Sequence, residues 1–364
     1  FHIIPCAPEV WYRAVESSGN SLTPWRRERP GRTLHVLGNL RRRMLLSLAF
    51  GILVLLVMGA YADYRAIIGV LRHFDWAVLP VVLLLTAGNY FGRFLKWQFY
   101  LGRIASRVPT DVSLLIFISG FSMVLTPGKV GELLKSYLLK QVSGTPMARS
   151  APIVLAERLT DGVALLLLGS VGLLLYRRGW EVLVAIFALA VLIVLVVQSQ
   201  PLSMAILARL ERLPVFGRFT DQFRSAYASS YLLLRLDALL IAIGLGILSW
   251  SGECLAFYVI LHGLHLDQNG AGGLLLLVKA AFILASSTLV GSASLLPGGL
   301  GVADGGIVGL LHVMLGTPAD VSVAATLLIR FCTLWFGVAL GAAALALFGQ
   351  RYGKLRVQLE APPA

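Results

Sequence analysis

TPGKVGE (126–132) with GTPMARSAPIVLAER (144–158), and LPGGLG (296–301) with GTPADVSVAATLLIR (316–330), are two copies of one message in a 364-residue chain. From Gly144 to Arg158 against Gly316 to Arg330, six of fifteen positions are identical at a fixed offset of 172. In each copy a Pro-Gly break interrupts apolar sequence, a Gly-Thr-Pro follows, and one arginine stands twelve residues after that proline. Proline removes a backbone donor and glycine loosens the chain, so each break ends a helix while the flanking sequence stays apolar. Paired breaks in corresponding positions of two halves, beside ionisable residues, mark the binding region of transporter-type membrane folds.

Composition supports that class. Apolar residues make up 57% of the chain and charged ones 13%, about half the charged share of a soluble domain. Several apolar runs approach the ~20 residues needed to cross a bilayer, which excludes a large soluble helical core. The net charge of +13 sits at the ends of spans: Arg26, Arg27, Arg29, Arg32 and Arg41 to Arg43 precede the first, and Arg351, Lys354 and Arg356 follow the last. That is a positive-inside pattern with attraction to anionic lipid headgroups, and no nucleic-acid partner is expected. The cysteines Cys6, Cys254 and Cys332 have no metal-ligand spacing, so neither a metal nor a structural disulfide is expected. GxxxxGK[ST] is absent; no cofactor is expected.

The expected fold is an all-α polytopic membrane protein with about six full transmembrane helices and two re-entrant helical hairpins in an inverted repeat. Crossings are expected at 44–62, 76–101, 151–176, 180–198, 238–262 and 320–348. The hairpins are 112–126 with 128–142, hinged at Pro127-Gly128, and 274–296 with 300–315, hinged at Pro297-Gly298-Gly299. A 15-residue arm reaches roughly 22 Å, short of a hydrocarbon core of ~30 Å. The first arm of the second hairpin has 23 residues, so that pair can either re-enter or cross. Residues 1–43 read as a basic cytoplasmic extension, largely disordered. Residues 44–350 form the membrane domain, with repeat cores 112–176 and 274–348 and an interfacial segment 199–237 between them; 351–364 is a basic cytoplasmic tail. On this threading nineteen Lys and Arg fall on the side of the termini, against Arg65, Arg72, Arg177 and Arg178 opposite, which sets both termini in the cytoplasm. The expected seat is a bacterial cytoplasmic (inner) membrane. Three full crossings separate the hairpins, and an odd number inverts the second relative to the first.

A helix beginning at membrane depth presents unpaired N–H groups and a positive dipole end to an anion. Gly128, Gly131, Gly298, Gly299 and Gly301 permit close approach at the two breaks, and Lys129, Lys135, Arg158 and Arg330 add full charge. Arginine's planar fork suits bidentate phosphate contact. Charged residues within spans are rare and usually functional, although Arg158 could instead pair with Asp161 at i,i+3 and Glu157 with a neighbour. Glu132 and Asp304 could take a proton, bind a cation or neutralise an arginine. Asn89, Arg93 and Lys96 share one helix face; Arg93 is expected at the cavity and Lys96 to snorkel outward. Glu253 is an intramembrane acid with no partner evident in the sequence. Lys279 reads equally as interfacial anchor or ligand, and His262, His265 and His312 lack ligand spacing.

With TPGKVGELLKSYLL (126–139), APIVLAERLTDGVALLLL (151–168), LPGGLGVADGGIVGLL (296–311) and LLIRFCTLWFGVALG (327–341) in view, the chain resembles the lysylphosphatidylglycerol synthase transmembrane region, or flippase-like domain, over about 44–350. The resemblance implies movement of a lipid, or a lipid-linked headgroup, between leaflets. Bifunctional members carry a cytosolic domain that aminoacylates phosphatidylglycerol; with 16 residues after position 348, a stand-alone member without it is expected. Its lipid would be of the phospholipid, polyprenyl-phosphate or hopanoid class. Other readings stand beside transport: a membrane-embedded transferase or hydrolase acting on a lipid phosphate, and a scaffold for a lipid-modifying partner enzyme such as a glycosyltransferase. Homo-oligomerisation is compatible with each.

Overall fold

Each Gly-Thr-Pro closes one helix and opens the next, and the two copies do so with the same geometry. Gly144 (φ 71°) and Gly316 (φ 64°) are left-handed C-caps whose N–H groups bond the carbonyls of Lys140 and His312. A side chain is strained in that conformation, which accounts for glycine in both copies. The repeated serine also plays one part twice: the hydroxyls of Ser150 and Ser322 donate back to the carbonyls of Pro146 and Pro318.

This computed structural model describes residues 53–54, 63–126, 131–176, 180–199, 203, 209, 220–266 and 273–360. The extension 1–43, nearly all of the crossing expected at 44–62, the hinge Pro127 to Val130 and most of 199–219 lie outside the described residues, as do 361–364.

Every described element is a helix. In chain order they are α1 (Tyr64–His73), α2 (Leu79–Arg103), α3 (Thr110–Ser119) with a 3-10 turn Gly120–Met123, α4 (Leu134–Ser143), α5 (Met147–Tyr176) and α6 (Trp180–Gln198). Then follow α7 (Thr220–Leu233), α8 (Leu236–Gly263), α9 (Gly273–Ala293), the 3-10 turn Pro297–Gly299, α10 (Val302–Leu315) and α11 (Ala319–Arg330). A π-helical turn, Phe331–Trp335, joins α11 to α12 (Phe336–Glu360).

Among the described residues, five stretches are long and apolar enough to cross a membrane: Trp76–Arg103, Leu236–Gly263, Gly273–Ala293, Pro297–Leu315 and Ala319–Tyr352. The chain is an all-α polytopic membrane protein. The first hairpin has short arms as expected, Thr110–Met123 and the ten-residue α4. The second differs: its arms of 21 and 19 residues are each long enough to span.

α5 packs against α2, α4, α7, α8 and α9, and α2 runs along α8. Two apolar cores flank the polar centre. One joins Phe257 and Ile260 of α8 to Ile283, Ile307, Leu311 and Ile329 around the second hairpin. The other joins Trp97, Tyr100 and Ile104 of α2 to Ile116, Phe117, Leu139 and Ile153 around the first. Exposed Leu84, Leu248, Leu274 and Val313 give the outside the apolar coat a bilayer requires. Arg103 pairs with Asp237 at 2.7 Å and Arg351 with Asp111 at 3.4 Å. These pairs tie the end of α2 to the start of α8, and the second half of α12 to the start of α3. Cys254 and Cys332 are buried free thiols. Within the segment expected at the interface, α7 packs on α5 and α6, with Tyr227 donating to the Val197 carbonyl at 3.2 Å.

Small residues set the closest helix crossings, as in other membrane bundles. A Cβ on Gly92 would lie 2.8 Å from Ser249 Cβ, and one on Gly341 of α12 would collide with the Ser122 backbone nitrogen. Gly341→Ala is therefore expected to cost about 1–3 kcal/mol, the usual range for overpacking, read as a lowered thermal midpoint in detergent. Gly88→Ala, in open space, should leave that midpoint unchanged. Equal midpoints for the two variants would show that α12 does not seat on Gly120–Met123.

Candidate functional site

Arg158 is the twelfth residue of α5 and Arg330 the twelfth of α11. At 1.5 Å per residue each lies roughly 17 Å along its helix, about half of a hydrocarbon core. Each guanidinium is met by a carboxylate from the second arm of its own hairpin. Arg158 Nη2 lies 3.0 Å from Glu132 Oε2, and Arg330 Nε donates to Asp304 Oδ1. The two repeats thus build the same arginine–carboxylate pair, with the acid two positions further from its proline in the second.

Both arginines line one cavity of about 120 Å³, together with Arg93 of α2 and Glu253 of α8. Gly291, Gly298 and Gly299 bring backbone to its wall, and Thr288, Ser292 and Thr333 add polar side chains. Arg93 lies over the rings of Phe121 and Trp250, at 5.7 and 6.0 Å from their centroids. This cation–π seating holds its charge at the cavity, where it makes no direct ion pair among the described residues. Arg158 Nε and Arg330 Nη2 are buried and have no hydrogen-bond partner among the described residues.

One expected ligand, Lys135, and the expected snorkelling Lys96 are instead held in ion pairs, with Glu157 and Asp161 as their partners. Lys96 does not snorkel: it is 1% exposed, and its Nζ reaches Asp161 Oδ1 at 2.5 Å. Asp161 also stands 3.7 Å from Arg158 Nη1, so it bridges two cations. Lys135 does not line the cavity. Its Nζ bonds Glu157 Oε2 at 2.5 Å and sits over Trp97 and Phe117 at 4.8 and 5.3 Å. Glu157 faces Lys135 and is likewise outside the cavity wall. The reason is common to these groups: an unpaired charge buried in a bundle is so costly that acids and bases on neighbouring helices find each other first.

The helix starts also depart from expectation. Gly301 (φ 82°) is the N-cap of α10, and its N–H is taken by Asp304 Oδ2 at 2.8 Å. The end of α10 is therefore partly closed by its own carboxylate, and Gly301 lies off the cavity wall while Gly298 and Gly299 lie on it. Gly131 donates to Thr126 Oγ1 at 2.7 Å and is also off the wall; Gly128 and Lys129 fall outside the described residues. Lys279 Nζ donates to the Met314 carbonyl at 3.0 Å, at the C-terminal end of α10, and lies off the cavity wall. His312 Nδ1 is 2.8 Å from the Thr317 carbonyl.

Sequence reasoning missed Tyr90, Phe121 and Trp250. Two had a signal, since Tyr90 stands three residues before Arg93 and Trp250 three before Glu253, on the same helix faces. Tyr90 also donates its hydroxyl to the Thr333 carbonyl at 2.5 Å. That bond secures the π-helical turn directly after Arg330, a local widening that recurs at functional sites.

Comparison with known proteins agrees with this architecture. Residues 44–341 match the family model described as the lysylphosphatidylglycerol synthase TM region. Three proteins of Methanothermobacter thermautotrophicus, each named UPF0104 membrane protein, are similar to the chain. One is 28% identical over 323 residues, covering 81% of this chain and 90% of its own. A second is 30% identical over 247 residues (60% and 69%), and a third 23% over 353 (85% and 95%). With the family model covering nearly the whole membrane region and the paired arginine-bearing helices in place, this chain belongs to the family of the lysylphosphatidylglycerol synthase transmembrane region.

Proposed function

We propose that this chain moves a phosphate-bearing lipid, or a lipid-linked headgroup, between leaflets through the arginine-lined cavity. One observation carries the reading: matched arginines of two repeats, Arg158 and Arg330, line a single cavity with Arg93. Buried donors such as Arg158 Nε and Arg330 Nη2 cost on the order of 1–3 kcal/mol each while unpaired. A phosphate oxygen removes that cost, and the guanidinium fork fits it. A cavity of about 120 Å³ has the size of a few waters at roughly 30 Å³ each, enough for a headgroup phosphate whose tails stay in the bilayer. The hairpins on either side are the elements that would open it alternately.

General acid–base work needs an acid free to meet the reacting group; Glu132, Glu157, Asp161 and Asp304 are each held by a cation, which leaves Glu253 as the one cavity carboxylate without an ion pair among the described residues. The substrate class is phospholipid, polyprenyl phosphate or a hopanoid-type lipid with an anionic head. The seat is the cytoplasmic membrane with both termini inside, on the charge bias of the connections.

The test is purified protein in phosphatidylcholine vesicles carrying fluorescent phosphatidylglycerol, polyprenyl phosphate or diacylglycerol. Accelerated leaflet exchange is expected for a phosphate-bearing probe, none for diacylglycerol, with Arg158→Ala much slower than wild type. Exchange that is absent for every probe, or equal in wild type and Arg158→Ala, overturns the reading. A changed lipid mass after incubation points to a lipid-modifying enzyme.

A further inference from the structure

Five carboxylates gather round this centre, and four are engaged. Glu132 faces Arg158, Glu157 holds Lys135, Asp161 holds Lys96, and Asp304 holds both Arg330 and the Gly301 N–H. Glu253 differs. It sits on the cavity wall, eighteen residues into the 28-residue α8, and among the described residues it makes no hydrogen bond and no ion pair. The groups acting on it come from every side: Arg93 and the Tyr90 hydroxyl of α2, Arg330 of α11, Asp161 of α5 and Cys254 next to it in α8. Arg158 and Glu132 stand on the same wall.

Arg93 and Arg330 on the same wall set a positive field across the cavity. An anion bound between the arginines uses that field and sets a like charge beside the carboxylate. A half-buried carboxylate with neither hydrogen bond nor ion pair among the described residues, next to a phosphate, is relieved most cheaply by a proton.

We propose that Glu253 takes up one proton for each anionic headgroup that enters the cavity, so that lipid passage is coupled to a proton. The proposal rests on the lipid-phosphate reading above and adds its coupling ion. An O–H bond forms on the Glu253 carboxylate with a proton from the water on the entry side. It breaks again on the exit side, the proton passing to water there, once the phosphate has gone and its like charge no longer opposes the carboxylate. No electron is transferred and no other bond changes. The linkage is reciprocal: the occupied site holds one more proton than the empty one, so affinity rises as pH falls, by up to about tenfold per pH unit.

The experiment uses the full chain in phosphatidylcholine vesicles with fluorescent phosphatidylglycerol or polyprenyl phosphate at subsaturating levels and a pH-sensitive dye in the lumen. Wild type should exchange the probe faster as pH falls through neutrality, with a proton signal that accompanies lipid flux. Glu253→Gln, equal in shape, should move lipid with a flat pH profile and no proton signal. A wild-type slope and proton signal in Glu253→Gln would overturn the proposal. A second measurement needs no variant: adding dioctanoyl phosphatidylglycerol to wild type should produce the infrared carbonyl band of a protonated carboxyl group, and its absence counts against the proposal. Lipid movement without pH slope or proton signal would leave transport standing and sink the Glu253 reading. Failure of both probes to move in wild type would remove the two together.

Discussion

Arg330→Lys is expected to slow leaflet exchange of a phosphate-bearing lipid roughly ten- to a hundredfold while folding stability stays near wild type. Arg330 has one nitrogen engaged and one open in the same fork. Nε holds Asp304, which caps α10 through Gly301, while the buried Nη2 has no hydrogen-bond partner among the described residues. Lysine keeps a cation for Asp304, so the pair and the cap survive, but its single ammonium does not serve a phosphate at the same time. A hydrogen bond to a charged group contributes about 1.5–3 kcal/mol, and each 1.4 kcal/mol is about tenfold. Arg330→Ala makes a poorer test because it strands Asp304 and confuses folding with binding. Initial exchange rates beside thermal midpoints in detergent separate the two effects. Equal rates in Arg330→Lys and wild type would show that the free nitrogen takes no part.

Lys135→Met is expected to destabilise the fold by about 3–5 kcal/mol, and Lys135→Met/Glu157→Leu to recover most of that loss. Lys135 and Glu157 are each about 5% exposed in the side chain and 2.5 Å apart. Removing one partner leaves the other charge buried and unpaired, whereas replacing both with apolar groups of similar size is often neutral or better. The cation–π contacts to Trp97 and Phe117 are a smaller share of the loss, about 1–2 kcal/mol, and remain missing in the double variant. Unfolding in detergent measures all three proteins. A single variant as stable as wild type, with exchange nonetheless abolished, would return Lys135 to the binding site.

The difference between Arg330 and Lys135 shows what the sequence could and could not carry. The repeat was legible because its signals are local: a left-handed glycine cap, a proline start and an arginine at a fixed distance follow one another within fifteen residues. Internal symmetry then made Arg158 and Arg330 equivalent, and equivalent positions of two repeats meet at the same cavity. Arg93 was legible from its place midway along an apolar helix. Lys96 and Lys135 were misread because their partners lie 65 and 22 residues away, on another helix. No helical periodicity along one segment reveals an ion pair formed across two. The capped start of α10 was misread for a related reason. Asp304 was visible three residues after Gly301, the spacing of a capping box; it was read as proton carrier, cation ligand or partner of an arginine, the last of which it is, but not as a cap. Phe121 carried no polar signal at all, and its role is defined by Arg93 above its ring.

The proposed transport requires two matched guanidinium groups, Arg158 and Arg330, to hold one lipid phosphate. Its most direct test is a cryo-electron microscopy map of the protein in lipid nanodiscs containing phosphatidylglycerol and polyprenyl phosphate. Headgroup density bridging Arg158 and Arg330, with acyl or isoprenoid density leading out into the bilayer, is the predicted result. A map in which the two arginines face separate compartments, or in which lipid phosphate binds elsewhere while this cavity is closed off by its own ion pairs, would contradict it.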